Sequence, residues 1–406
     1  MVTVNPNSNS NPQPEKPQDE GMTVEPGPKD APAPKRPLDI VFLQDATGSQ
    51  GPYIQSAVKA IHSICQKISQ SPALGGGDSG SAPTESIRFG LIAFRDHPPQ
   101  DRSYVTKNFG FTSNVDEVKK HLSGLIASGG GDGPEASTAA LAEALNMEWK
   151  ENAVKIVVLI TDAPPHGLGE VGDGFPNGSP DQNDPLSIAR QMAEHGISLY
   201  IIACEPSLSK YKHAVDFYRA LTQITSGRMV PLVHAEQLGD YIVGSAIETL
   251  ETEHLIGQFE KVILEDVYGQ GKSVEEVMES VQNELNKRNV QLNTLSVEDI
   301  YKPSEVAEKN VSTWAQAFSL STARENVQEV SGSRVRESYI PGRAVPGRSA
   351  APAQRQQVQM QQQQVDKGQA KRMVMQSLMR NAEVGAGGIL KPRGAYAHKG
   401  PTSFNI

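Results

Sequence analysis

The polar residues of three separate segments have the types and spacing of a cation site. An Asp-x-Thr-x-Ser run alternates Asp45, Thr47 and Ser49, a glycine-rich segment carries Asp132, and a further carboxylate, Asp162, follows an apolar run. Carboxylate and hydroxyl oxygens, with no Cys or His among them, suit a hard cation such as Mg²⁺, with Mn²⁺ as the alternative. We therefore predict a divalent-metal site and take these five residues as its candidate ligands.

Short apolar runs rich in Ile, Val and Phe predict the strands that would position these residues. They cover residues 38–45, 87–95, 154–161 and 197–204, with a shorter run at 229–233. Helix-like stretches alternate with them at 53–69, 115–126, 134–147, 186–194 and 211–224. This alternation predicts an α/β fold with a doubly wound, mostly parallel sheet of the Rossmann-like type.

The candidate ligands fall where such a sheet binds its ligands. Asp45 ends the first predicted strand, Asp162 follows the strand at 154–161, and Asp132 precedes a helix that would open at Pro134. Ligands of doubly wound sheets bind beyond the carboxyl ends of the strands, where the strand order reverses. The predicted fold therefore brings these segments to one edge of the sheet.

Each of these residues also has a purely structural interpretation. Ser49 could serve as the N-cap of the helix that follows it. We interpret Glu135 as a carboxylate in the first turn of a helix, where the helix dipole favours a negative charge, with the role of an outer metal ligand as the alternative. We interpret His97 and His166 as loop histidines held by hydrogen bonds, with support of a metal ligand as the alternative.

The motifs together resemble a known family. The Asp-x-Thr-x-Ser run and Asp162 resemble two loops of the metal-ion-dependent adhesion site of von Willebrand factor type A domains. Three segments, Arg95-Asp96-His97, the glycine-rich run at 129–135 and the run at 161–167, are more narrowly similar to the type A domain of alpha-kinase-type proteins. The resemblance covers about residues 38–250.

This resemblance implies roles for the candidate ligands. Thr47 and Ser49 would provide hydroxyl ligands, and Asp45 and Asp162 would bind the metal directly or through water. The second loop departs from the commonest family pattern, because Asp132 stands where many relatives have a Thr. The added negative charge would weaken the attraction of the metal for a carboxylate from a partner.

Composition divides the rest of the chain. We predict a disordered, Pro-rich N-terminal tail at 1–37, the type A domain at 38–250, a helical extension at 251–330 and a disordered, Gln-rich basic tail at 331–406. Within the extension, Ser273 and Glu276 have the spacing of a capping box. The formal net charge of -9 combines +9 in residues 334–406 with -18 in residues 1–333.

The basic tail has several interpretations. Residues 354–369 contain 9 Gln in 16, a composition typical of solvated coil. In residues 370–382, Met375, Leu378 and Met379 could share a helical face, but we interpret the segment as a fluctuating helix without a partner. We do not expect nucleic-acid binding, because no aromatic residues interleave the charges. Contact between the tail and the acidic body is the alternative.

The sequence favours a binding module over an enzyme. It contains no phosphate-binding Gly-x-x-x-x-Gly-Lys-Ser/Thr loop and no His-Glu-x-x-His motif, and no catalytic residue is assigned. We predict a metal-dependent module or adaptor that recruits a protein partner through its metal-bearing face. A Mg²⁺-dependent hydrolase or a regulatory relative of alpha-kinases without a kinase domain is the alternative.

Location and thiol chemistry follow from two further features. No stretch approaches the ~20 apolar residues of a membrane helix, and the polar N-terminus lacks a secretory apolar core, so we expect a cytoplasmic protein. Cys65 and Cys204 lie in apolar surroundings and are predicted to be buried free thiols.

Overall fold

The computed structural model describes residues 36–71, 74, 86–340, 342 and 353–403. The predicted N-terminal tail therefore lies outside the described residues, apart from Arg36 and Pro37. These two are held by the domain, since the N–H of Val154 donates to the carbonyl oxygen of Pro37 at 2.8 Å.

A six-stranded sheet forms the centre of the fold, in the order β3-β2-β1-β4-β5-β6. Its strands are β1 (Leu38–Asp45), β2 (Ile87–Phe94), β3 (Thr106–Thr112), β4 (Val154–Thr161), β5 (Ile197–Cys204) and β6 (Arg228–Leu232). All neighbours are parallel except β2 and β3, which are antiparallel. The predicted doubly wound, mostly parallel sheet is confirmed, and its strand order reverses between β1 and β4.

Both faces of the sheet are buried, because residues at alternate positions of each strand point to opposite faces. On one face Val41 and Leu43 join a core with helices from the middle of the chain. On the other face Ile40 and Phe42 pack in a second core. This burial explains why the sequences of the central strands are continuous apolar runs. Cys65 and Cys204 are buried free thiols, as predicted.

The helices cover both faces and extend beyond the sheet. They are α1 (Gly51–Ser69), α2 (Val115–Ser123), α3 (Ser137–Leu145), α4 (Pro185–Glu194), α5 (Ala214–Ile224), α6 (Leu238–Leu264), α7 (Val274–Lys287), α8 (Glu305–Gln316), α9 (Leu320–Arg324) and α10 (Lys367–Arg380). The capping box of Ser273 and Glu276 is present at the start of α7, as predicted. Among the described residues no helix combines the length and apolar character needed to cross a membrane.

The structure places no break at residue 250. Helix α6 (Leu238–Leu264) crosses this position without interruption, so the predicted type A domain and the predicted helical extension share one helix. The extension also contains a strand that was not predicted, β7 (Gln291–Val297), between α7 and α8.

The prediction of a disordered tail is wrong for residues 353–403. These residues form β8 (Val358–Gln364), α10 and a small antiparallel sheet of β9 (Ala382–Val384), β10 (Ile389–Pro392) and β11 (Thr402–Ser403). The Gln-rich strand is ordered because β8 pairs with β7 along its whole length. In α10 the apolar face is fully covered, with Met375, Leu378 and Met379 all buried, so the expectation of a helix without a partner is also wrong.

Charge contributes to this folding of the C-terminal residues onto the acidic body. Arg372 lies 2.6 Å from Glu248 of α6, and Arg380 pairs with Glu253 of the same helix. Arg334 pairs with Asp216 of α5 at 2.6 Å, with both side chains buried. The structure therefore contains the contact between the C-terminal residues and the acidic body that was given as the alternative. This contact is made by specific ion pairs.

Candidate metal centre

A crevice lies at the carboxyl ends of β1 and β4, where the strand order reverses. Three loops surround it: residues 45–50 after β1, the glycine-rich residues 129–135, and the segment that begins at Asp162 after β4. Its volume is about 600 Å³, and its lining includes Thr47, Ser49, Asp132 and Asp162. The sequence-predicted ligands therefore converge on one place, and Asp45 lies fully buried at its base.

Within the described residues, the side chain of Asp45 is held by hydrogen bonds from neutral donors. Its Oδ1 accepts from the N–H of Thr47 at 2.9 Å and from the Thr47 hydroxyl at 2.7 Å, and its Oδ2 accepts from the Thr161 hydroxyl at 2.8 Å. Burial, together with the nearby charge of Asp162, raises the pKa of Asp45 to about 7, although these hydrogen bonds act in the opposite direction. The negative charge of this carboxylate is thus left largely uncompensated.

Asp162 faces the same crevice from the end of β4. Its Oδ1 accepts from the Ser49 hydroxyl at 2.9 Å and from the side-chain amide of Gln50 at 2.8 Å. The hydroxyl of Ser49 therefore points at a candidate ligand and makes no capping hydrogen bond to α1. Ser49 is therefore not the N-cap of α1, so its purely structural interpretation is wrong.

Glu135 has a more central position than the sequence indicated. It precedes the N-cap of α3, and no acidic residue lies in the first turn of that helix, so the interpretation as a first-turn carboxylate is wrong. Its backbone N–H donates to the carbonyl oxygen of Pro164 at 2.9 Å, which fixes the loop against the segment after β4. Its side chain is 5% exposed and lines the crevice.

The carboxyl group of Glu135 lacks compensation. Its Oε2 has no hydrogen-bond partner in the described part of the chain. Burial raises the pKa of Glu135 to about 10, and the charges of Asp45, Asp96, Asp132 and Asp162 act in the same direction. A buried carboxyl group among other carboxylates is stable only with a bound proton or a bound cation.

The glycine-rich loop is required for this arrangement. Gly130 has a φ of +80°, which favours glycine, and a Cβ there would lie 2.7 Å from Oε1 of Glu135. The loop can therefore pass between Glu135 and Thr47 only if residue 130 has no side chain.

Asp132 lies in the same crevice but contacts a different set of residues from Asp45. Its Oδ2 accepts from the N–H of Gly174, and burial and the charge of Asp96 raise its pKa. Potential ligand atoms of Asp132, Asp96 and His166 all lie within 4.8 Å of one another. The structure therefore groups Asp132 with Asp96 and His166, while Glu135 faces the other predicted ligands.

His166 lies between two carboxylates. Its Nε2 is 2.7 Å from Oδ1 of Asp96, and its Nδ1 is 2.8 Å from Oδ1 of Asp173. Burial would lower the pKa of His166, but the hydrogen bonds with Asp173 and Asp96 raise it to about 9. His97, whose Nε2 is 3.2 Å from the Ser179 hydroxyl, has a pKa lowered by burial and by His166. Hydrogen bonds position both histidines, as the sequence indicated.

Two residues of this region, Asp96 and Asp173, had no assigned role in the sequence, and a third, Glu135, was interpreted as a helix-end carboxylate. Asp96 stood in the Arg-Asp-His motif, but nothing marked its side chain as buried. Asp173 lies in the long Gly-, Pro- and Asn-rich loop after β4, where acidic residues are common. Glu135 could have been recognised from its place directly after a loop of glycines that allows close approach, whereas the partners of Asp173 could not.

The comparisons with known proteins agree with the fold. Residues 39–238 match the family model of the von Willebrand factor type A domain. A protein of Acanthamoeba polyphaga mimivirus, described as ariadne-like RING finger protein R811, is 29% identical over 202 residues, covering 48% of this chain and 18% of its own length. The alpha-protein kinase vwkA of Dictyostelium discoideum is 28% identical over 145 residues, covering 35% of this chain and 21% of its own length. The chain thus spans about a fifth of the length of these curated relatives.

Solved structures with a similar domain include two metal-loaded ones. A zinc-occupied proximal thread matrix protein 1 from the mussel byssus has 15% identity and a TM-score of 0.34, over 52% of this chain and 45% of its own. The manganese-loaded TRAP protein of Plasmodium vivax has 14% identity and a TM-score of 0.31, over 52% of this chain and 74% of its own. The pilus adhesin SpaC of Lactobacillus rhamnosus GG has 12% identity and a TM-score of 0.39, over 53% of this chain and 30% of its own.

Proposed function

Residues 39–238 form a von Willebrand factor type A domain, and we propose from this premise that the chain is a metal-dependent, non-enzymatic protein-binding module. The cation would occupy the crevice between β1 and β4, with Asp45, Thr47, Ser49 and Asp162 as ligands. Glu135 would join them in place of Asp132. The observation that carries the proposal is the buried carboxyl group of Glu135, whose Oε2 has no hydrogen-bond partner among the described residues and which interacts with the charges of Asp45 and Asp162.

The charge balance of the crevice supports a cation there. Burial and neighbouring acids raise the pKa values of both Asp45 and Glu135. Lys210 lines the crevice, yet it is exposed and forms no ion pair with these carboxylates among the described residues. A divalent cation would relieve this repulsion directly, because it would favour the ionised form of each carboxyl group.

The donor set favours a hard cation. Carboxylate and hydroxyl oxygens match Mg²⁺, and Mn²⁺ accepts the same ligands. With His166 engaged by Asp96 and Asp173, no nitrogen ligand is part of the set around Asp45. Mg²⁺ is therefore the cation that we assign to this site.

The same balance defines the kind of partner. Three carboxylates around one divalent cation leave a net negative site, which attracts an external carboxylate less than a site built from hydroxyl ligands does. A partner that offers a neutral oxygen to the metal, or a basic side chain to the rim, fits this face better. The cation would then order the three loops that the partner contacts.

Thermal unfolding of the full chain tests this proposal. We expect added Mg²⁺ or Mn²⁺ to raise the melting temperature above that in EDTA, and we expect Asp45→Ala and Thr47→Ala to abolish the rise. Asp240→Asn, at an exposed position on α6, is the matched control and should retain it. The same melting temperature with and without cation in the parent protein would refute the proposal.

A hydrolase is the alternative, because a bound Mg²⁺ beside a carboxylate can activate water. It predicts phosphatase or nucleotidase turnover that depends on Mg²⁺ and disappears in Asp162→Ala. The binding module predicts no turnover in either protein.

A further inference from the structure

A second cluster of potential metal ligands lies next to the first, on the other side of the glycine-rich loop. It contains Asp96, which follows β2, Asp132 of the loop itself, and His166, which follows β4. One ligand atom from each lies within 4.8 Å of the others. Asp96 and His166 are 0% and 1% exposed, and Asp132 is half-buried, so two of the three side chains are enclosed by the protein.

Two oxygens of this cluster are unpartnered. Oδ2 of Asp96 and Oδ1 of Asp132 are buried and have no hydrogen-bond partner within the described ranges. The other oxygen of Asp96 accepts from the N–H of His97 at 2.6 Å and lies 2.7 Å from Nε2 of His166. Two buried carboxyl groups that face each other are stable with a shared proton or with a bound cation between them.

The imidazole of His166 is oriented as a metal ligand is. Its Nδ1 lies 2.8 Å from Oδ1 of Asp173. Asp173 in turn accepts from the N–H of Gly167 at 2.7 Å and from that of Phe175 at 2.8 Å. A carboxylate that accepts from one ring nitrogen fixes the tautomer and leaves the lone pair of the other nitrogen for a metal. Nε2 of His166 is the nitrogen on the side of Asp96, 2.7 Å from its Oδ1.

We propose that Asp96, Asp132 and His166 form a second divalent-cation site, distinct from the one around Asp45. Two carboxylate oxygens and an imidazole nitrogen are a ligand set for Zn²⁺, which accepts a water molecule as its fourth ligand. Asp173 is the positioning residue of this site.

Zn²⁺ binding to the full chain tests the inference. The chain is stripped with EDTA, and its affinity for Zn²⁺ is measured by competition with a chromophoric chelator. We expect His166→Gln to lose the Zn²⁺ site and Asp173→Asn to weaken it by about 10–100-fold, the usual effect of removing an orienting partner. His97→Gln, beside the cluster but directed at Ser179, is the matched control and should bind as the parent does.

A spectroscopic measurement separates the two sites. Co²⁺ bound in place of Zn²⁺ should give a visible absorption band that His166→Gln lacks and that Thr47→Ala retains. Mg²⁺-dependent stabilisation should show the reverse pattern, lost in Thr47→Ala and kept in His166→Gln. The first proposal can therefore fail while this one stands.

Two results would overturn the second site. One is equal Zn²⁺ affinity in the parent, His166→Gln and Asp173→Asn. The other is a Zn²⁺ affinity that Thr47→Ala abolishes and His166→Gln does not, which would place the ion at the first site. Far-ultraviolet circular dichroism reports whether His166→Gln folds, and if it does not, Asp173→Asn decides the question.

Discussion

Buried carboxylates occur in two regions of this molecule, and the regions compensate their charge in opposite ways. On α6, Glu253 accepts from Arg380 and Arg36, each with one contact of 2.8 Å. Burial would raise the pKa of Glu253, but the two guanidinium groups lower it below its ordinary value. In the crevice, the pKa of Glu135 is raised to about 10, because its neighbours are other acids.

The difference separates buried carboxylates that are neutralised by basic residues of the same chain from buried carboxylates that have no such partner. The α6 carboxylates are paired by residues that come from distant parts of the same chain, so that region needs no ligand. The crevice carboxylates face one another across a cavity, and an ion from solution can supply the missing charge. Buried charge without a partner is costly enough that this contrast marks the crevice as a binding site.

The largest effect is expected from breaking the paired region. Arg380→Ala leaves Glu253 buried with Arg36 as its remaining partner, so the loss of stability should approach, from below, the value of about 3–5 kcal/mol for a fully broken buried pair. Urea denaturation measures this loss of stability. Arg393→Ala is the matched control, because Arg393 pairs with Glu194 while 51% exposed, and we expect a loss below about 1 kcal/mol. Equal losses in the two variants would contradict the contrast.

Glu205 is an intermediate case and predicts a pH dependence. Its carboxylate accepts from the Ser209 hydroxyl at 2.6 Å and the Tyr301 hydroxyl at 2.8 Å, yet burial raises its pKa to about 7. Because the folded-state pKa is raised, its contribution to stability is full below the unfolded value and is lost as the pH rises through 7.

The size of this effect is about 3 kcal/mol between pH 4 and pH 8, at roughly 1.4 kcal/mol per pKa unit. Urea denaturation of the parent and Glu205→Gln across this range measures it. The variant should gain stability relative to the parent as the pH rises. A stability difference that does not change with pH would show that Glu205 is not the titrating group.

Glu135→Gln tests the unpaired region. Glutamine matches a protonated glutamate in shape, so the variant should unfold in EDTA with nearly the free energy of the parent. With Mg²⁺ at one hundred times its dissociation constant, the parent should gain about 2.7 kcal/mol, and the variant should gain less. Equal gains in both proteins would remove Glu135 from the cation site.

The smallest effect is expected at an exposed pair. Lys212 lies 2.7 Å from Glu329, with side chains 38% and 57% exposed. Lys212→Ala should lower the stability slightly at low ionic strength and not measurably in 1 M salt, because exposed pairs are screened. Denaturation at the two salt concentrations measures the difference, and a salt-independent loss would indicate a role other than charge.

The sequence predicted the central strands because their burial on both faces produces continuous apolar runs. It did not predict β3, whose sequence TKNFGFT is half-exposed at the sheet edge and lacks such a run. It also failed for β8, because a strand of Gln gains its stability from pairing with β7 and not from its own side chains. One local signal was overlooked: Asp366 and Gln369 form a capping box at the start of α10.

The candidate site could likewise be predicted from the sequence only in part. The Asp-x-Thr-x-Ser run and Asp162 could be predicted, since residues at strand ends meet wherever the strand order reverses. The orientation of Asp132 toward His166, and of Glu135 toward Asp45, depends on how the glycine-rich loop is threaded between them. That path is set by contacts with Pro164 and Gly174, which are distant in sequence and carry no pattern.

The Gln-rich strand β8 has a consequence for how this protein associates with copies of itself. In the described residues β8 pairs with β7 alone, so its other edge presents unpaired backbone groups beside five Gln side chains in the sequence VQMQQQQ. Strands of this composition stack in register through ladders of side-chain amides. A fragment that lacks β7 would free both edges of β8, and we expect it to form fibrils more readily than the full chain.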